Sequence, residues 1–389
     1  MTKNQMIVLV AVFVSFTALG FPDGTFGVAW PFIRYEMRLG LDMAFFVVVS
    51  HSVFYSLASG LMGRMARLIK LPYVNMLGLV LMAVGVSGFS FAPNLYFLML
   101  VTMVTGFGMG LIDSGLNAYA AKYFSVRHMN WLHCFWGLGA SISPVIMTNM
   151  VMYLGWRTGY ITIAALQGIM ALFVLATLLK GAWIMNGDRA EEASGSAEHV
   201  HFLRKKRFAV MQVVIFIFYA GFEYSVTFWT PSVMLEARGL GIDRAGLFPA
   251  VYLGAMTAGR FFMGYISHKF ANITMVRFGL IFSACGLVLL MFTNSFVGMA
   301  MVGFGFGPVF PCLMHETAHR FGEKATTKLV GYQVAAVGVG VGFSTFGMGY
   351  LLEGVSLNAL FPAVITGVVI VFLINETIEG ALRKVKNNG

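Results

Sequence analysis

The sequence predicts an all-α, polytopic membrane protein of twelve transmembrane helices, built as two pseudo-symmetric six-helix bundles. Three observations carry that prediction. Of the 389 residues, 58% are hydrophobic and only 11% are charged, against about 25% charged in a soluble domain. The apolar residues come in long blocks rather than amphipathic stripes, and none of the short alternating segments of a membrane β-barrel is evident. The glycines of the second half repeat those of the first in order and spacing.

A span needs about 20 apolar residues. Runs of that kind lie near 6–31, 42–63, 72–92, 95–121, 129–154, 158–184, 207–235, 244–267, 273–292, 295–318, 328–352 and 357–375. The first run is too long for a signal peptide and lacks a small-residue cleavage site, so Met1–Gln5 reads as a short cytoplasmic tail. One joint is long and polar, from Asn186 to Lys206, ending in the basic run Arg204–Arg207. The expected organisation is a bundle over 1–184, a cytoplasmic linker over 185–206 and a second bundle with a short tail over 207–389.

The net charge of +10 comes from short basic clusters between apolar runs, which excludes a nucleic-acid partner. With the N-terminus inside, 20 Lys and Arg fall on the inner side, Arg320 among them, and 5 on the outer side. That asymmetry places both termini in the cytoplasm and suits a bacterial inner membrane. Cys134, Cys285 and Cys312 all fall within apolar runs and read as small core residues. The expected partners are the bilayer and a small-molecule substrate, with no cofactor or metal, protons as the coupling ion, and a monomeric chain.

A shift of 201 residues carries Gly20-Phe21 onto Gly221-Phe222, Gly63 onto Gly264, Gly78 onto Gly279, Gly85 onto Gly286, and Gly137 and Gly139 onto Gly338 and Gly340. A shift of 197 carries Gly106, Gly108 and Gly110 onto Gly303, Gly305 and Gly307. A parallel repeat of six spans is a transporter architecture.

Several stretches then resemble the major facilitator superfamily, and within it the fucose/galactose/glucose–proton symporter branch. They are Asp23-Gly24 with Trp30-Pro31, Asp113–Tyr119, Asn130–Ala140 with Pro144, Glu223 with Trp229, Gly259-Arg260, and Gly305–Pro311. The resemblance implies alternating access, with spans one and seven lining a central cavity. The chain departs from it in one respect. The loop position where the superfamily carries an inner-gate aspartate holds Arg67 in the first half and His268 in the second.

A charged acid inside a span costs about 2.5–3.5 kcal/mol even on a lenient scale, so each one needs a reason. Asp23 and Glu223 lie at nearly equivalent depths, and either could take the coupling proton. The competing reading of Asp23 is a structural hydrogen bond beside Pro22. Asp113 and Asn117, four apart, share a helix face, and His133 reaches a similar depth. They form either a proton relay or polar glue between helices. Trp136, Trp229 and Gln333 join Asn117 and His133 as expected substrate contacts, since sugars stack on aromatic rings and bond to amides. Arg260 needs a carboxylate, and Glu316 or Glu223 could supply it, as a structural charge pair. Gly-rich runs and Pro308 and Pro311 read as close-packing and kink positions.

The chain is thus expected to be a proton-coupled symporter of a sugar or small hydroxylated solute. Its rivals are a proton-driven exporter of amphipathic drugs or lipid-linked glycans and a non-transporting membrane sensor. No nucleophile–base pair or metal set suggests an enzyme.

Overall fold

The structure is a computed structural model and describes residues 3–124, 126–183, 206–266 and 269–387. No strand occurs among them. The first half contains α1 (Lys3–Met37), α2 (Ala44–Leu68), α3 (Leu71–Phe89), α4 (Leu95–Tyr123), α5 (Val126–Tyr153) and α6 (Trp156–Leu179). The second contains α7 (Lys206–Ser232), the short α8 (Ile242–Ala245), α9 (Phe248–Ile266), α10 (Asn272–Phe292), α11 (Phe296–Phe306), α12 (Val309–Phe321), α13 (Glu323–Gly354) and α14 (Leu360–Asn387).

Among the described residues, eleven helical segments are long and apolar enough to cross a membrane, counting α11 and α12 as one. The remaining expected span, 244–267, is α9. The tenth span breaks between Phe306 and Val309, at Gly307-Pro308, where the expected kink lies. The twelfth extends well past 375, to Asn387. The expected linker, apart from Lys206, lies outside the described residues, as does His268; of Arg67 only the backbone is described.

Helices pack chiefly within their own half: α1 on α5 and α6, α3 and α2 on α4; α7 on α13 and α14, α11 on α9 and α10. The glycine repeat explains the closest of these contacts. A Cβ on Gly106 or Gly110 would lie 2.4 or 2.3 Å from the carbonyl oxygen of His51 or Tyr55 on α2. A Cβ on Gly303 or Gly307 would lie 2.1 or 2.6 Å from that of Tyr252 or Met256 on α9. The receiving residues are themselves 201 apart, so both halves use one packing rule, in which absent side chains let backbones touch.

Arg320, one of the basic residues counted on the inner side, is fully buried near the end of α12. Its guanidinium donates to Glu379 at 2.9 Å, Gln212 at 2.6 Å and Asn375 at 2.6 Å, drawing α7, α12 and α14 together. Its partners lie 55 to 108 residues away in the chain, which hid the network from sequence. Arg320→Ala is expected to leave the Glu379 carboxylate unpaired and to cost about 3–5 kcal/mol. Thermal unfolding of the detergent-purified protein should show the loss. The apolar pair Arg320→Met with Glu379→Leu should recover most of it, and a single variant that melts like the parent would contradict the account.

Candidate functional site

A cavity of about 2780 Å³ lies between the two halves and opens on the face that carries both termini. Its wall runs from Asp23, Tyr224 and Arg260 in the middle to Asn272, His315 and His319 at the mouth. The opposite, far face is shut by contacts between the halves. A Cβ on Gly27 of α1 would lie 2.7 Å from the Phe228 oxygen of α7. Phe26 and Phe228 rings sit 5.3 Å apart, and Phe45 and Phe346 rings 5.0 Å apart. Above these, Arg34 is ion-paired with Glu236, and the Asp42 amide donates to Glu353 at 3.4 Å.

On the first-half wall, glycines set the chemistry. A Cβ on Gly20 would lie 2.1 Å from the Trp136 carbonyl, and one on Gly24 2.4 Å from that of Ala140. Their absence lets α1 and α5 touch, which brings the Trp136 indole N–H to Asp23 Oδ2 at 2.8 Å. The Gly110 contact likewise presses α4 against α2, and the Tyr55 hydroxyl donates to Asp113 Oδ2. Asn117 Nδ2 donates to Asp113 Oδ1 at 2.8 Å, so both carboxylate oxygens have a donor. His51 Nε2 lies 3.2 Å from Met109 Sδ. His133 faces the cavity edge-on to Phe16.

On the second-half wall, one proline matters. Pro311 has no N–H, so the Gly307 carbonyl lacks its helical donor and accepts from Arg260 Nε at 3.2 Å instead. Arg260 Nη2 lies 3.7 Å from Glu223 Oε1, and its guanidinium stands 5.4 Å over the Trp136 ring of the other half. The Tyr252 hydroxyl reaches the Glu223 carbonyl at 3.5 Å. Asp23, Trp136, Arg260 and Glu223 therefore form a continuous polar chain across the interface between the halves.

The structure thus brings Asp23, Asp113, Glu223, His133, Trp136 and Arg260 to one cavity. Four expected roles are corrected. Arg260 pairs with Glu223 and not with Glu316, which sits nine residues beyond Gly307, about 13 Å further along the helix. Glu316 instead accepts from Asn272 at 3.0 Å. Trp229 is fully buried on Phe228 and Gly349, behind the cavity wall. Gln333 is also fully buried and donates to Thr317 at 2.8 Å, inside the second half. Asn117 lies behind Asp113 and holds it, without lining the cavity itself. Sequence reading missed Tyr55, the donor to Asp113.

Comparison with known proteins follows the same lines. A family model described as Major Facilitator Superfamily matches residues 8–345. The glucose/mannose transporter GlcP of Bacillus subtilis (strain 168) is 21% identical, over 71% of this chain and 71% of its own. The hexuronate transporter of the same organism is 19% identical, over 78% of this chain and 73% of its own. Among solved structures, the D-xylose–proton symporter superposes with a TM-score of 0.73 at 13% identity, over 96% of this chain and 97% of that one.

The far-face closure yields a test. A partly exposed ion pair contributes about 0.2–1 kcal/mol. Arg34→Ala is therefore expected to raise the population open on the far face up to about fivefold. Spin labels at the exposed far-face positions Tyr35 and Val355 should report a longer-distance component. A distance distribution identical to the parent's would mean that the ion pair does not hold this gate.

Proposed function

Because the chain belongs to the major facilitator superfamily, we propose that it carries a sugar or another small hydroxylated solute together with protons, by alternating access. It is a multi-pass membrane transporter, not an enzyme. The observation that carries the coupling reading is the polar chain from Asp23 through Trp136 to Arg260 and Glu223. A carboxylate on a cavity wall meets water when its gate opens and loses it when the bundles close. That cycle is what a proton carrier requires. Asp23 is the favoured carrier, since the one described donor to it is a neutral indole, whereas Asp113 is fixed by two donors and Glu223 by a cation.

The sugar reading draws support from the glucose/mannose transporter and from the fold shared with a xylose–proton symporter. Trp136 supplies an aromatic face beside Asp23, as sugar sites need. In this reading the chain works as a monomer in the bacterial inner membrane, with both termini cytoplasmic and the cavity open inward. A second reading, export of amphipathic compounds, has one observation in its favour. The cavity wall includes the apolar side chains of Val53, Leu57 and Val334, each about half exposed.

Proteoliposome uptake of labelled sugars, with and without an inward proton gradient, separates the two. Gradient-dependent accumulation of a sugar is expected. Absence of any sugar uptake, combined with pH-dependent efflux of a lipophilic cation, would establish the exporter instead. Asp23→Asn should abolish accumulation while leaving sugar exchange in place; unchanged accumulation would make Asp23 structural.

A further inference from the structure

The charge of the substrate is a separate question, because relatives of this chain include transporters of both a neutral sugar and a uronate. Among the described residues that line the cavity, the acids are Asp23, Asp113, Glu223, Glu316 and Glu379. The one arginine or lysine among them is Arg260. That cation is already engaged on three sides. Glu223 lies 3.7 Å from Nη2, the Gly307 carbonyl takes Nε at 3.2 Å, and the Trp136 ring covers a face at 5.4 Å. His51 and His133 carry no fixed charge. A carboxylate entering the middle of the cavity would have to displace Glu223 to gain a counter-ion, with Asp113 repelling it. An uncharged hydroxylated solute meets no such conflict. Its hydroxyls can donate to the free oxygen of Asp23, and those of Ser52, Ser56 and Tyr224 add neutral partners on the wall.

We propose that Glu223 is a specificity-determining residue: by occupying Arg260 it makes the cavity accept a neutral hydroxylated solute and reject the carboxylate form of the same ring. This rests on the reading of the cavity as a sugar site. It assigns Glu223 a task separate from proton carriage, which falls to Asp23. The same geometry implies that the cation becomes available once Glu223 loses its charge. The rejection is then a property of one side chain and not of cavity size.

The test uses the full chain in lipid nanodiscs and matched pairs of probes, D-glucose with D-glucuronate and D-galactose with D-galacturonate, with binding read by calorimetry. The parent protein is expected to bind the hexose of at least one pair about tenfold or more tightly than its uronate, as like-charge juxtaposition requires. Glu223→Gln, which keeps the shape and removes the charge, should narrow or invert that ratio by a gain in uronate binding. Adding Arg260→Gln to it should remove the gain. A parent protein that prefers the uronate, or a Glu223→Gln protein with an unchanged ratio, overturns the proposal while leaving sugar transport standing. Failure of the parent to bind either member of either pair overturns the sugar reading and this inference with it. The parent ratio needs no substitution, so it decides even if the variants do not fold.

Discussion

A carboxylate withdrawn from bulk water must find a donor or a proton, and in this molecule that constraint shapes the contact between the two halves. Asp23 finds the Trp136 indole within its own half. The same indole presents its ring to Arg260 of the other half, and Arg260 leans on Glu223. The charge state of one end therefore bears on the packing of the other. Separation of the halves at this point would expose Arg260 to water and free a face of Trp136.

The arrangement depends on what the backbone allows. Glycines at 20 and 24 bring α1 against α5, and those at 106 and 110 bring α4 against α2. Without them neither Asp23 nor Asp113 would reach its donor. In the second half the missing N–H of Pro311 leaves a carbonyl for Arg260 to use. The two halves thus share a packing rule and differ in chemistry. The first answers Asp23 and Asp113 with neutral donors, and the second answers Glu223 and Glu379 with the guanidinium groups of Arg260 and Arg320.

The fold was legible because composition, run length and the glycine repeat all report the same periodic architecture. Asp23, Asp113 and Glu223 were legible as site residues because an acid within a span always demands an explanation. Trp229 and Gln333 were not, and the reason is physical. A helix that is apolar all round carries no stripe to say which face meets the cavity and which meets a neighbour. The partner of Arg260 was undecided for a related reason: depth along a helix can be counted, but the crossing of α9 with α7 cannot. The network around Arg320 was not legible either, because its three polar partners lie far away in the chain.

The central claim is that Asp23 carries a proton whenever substrate crosses. Addition of a transported sugar to lightly buffered, de-energised vesicles tests it most directly, through the pH of the outer medium. The account predicts a transient alkalinisation that follows sugar entry in the parent protein and disappears with Asp23→Asn. Sugar entry without any movement of protons in the parent protein would contradict it.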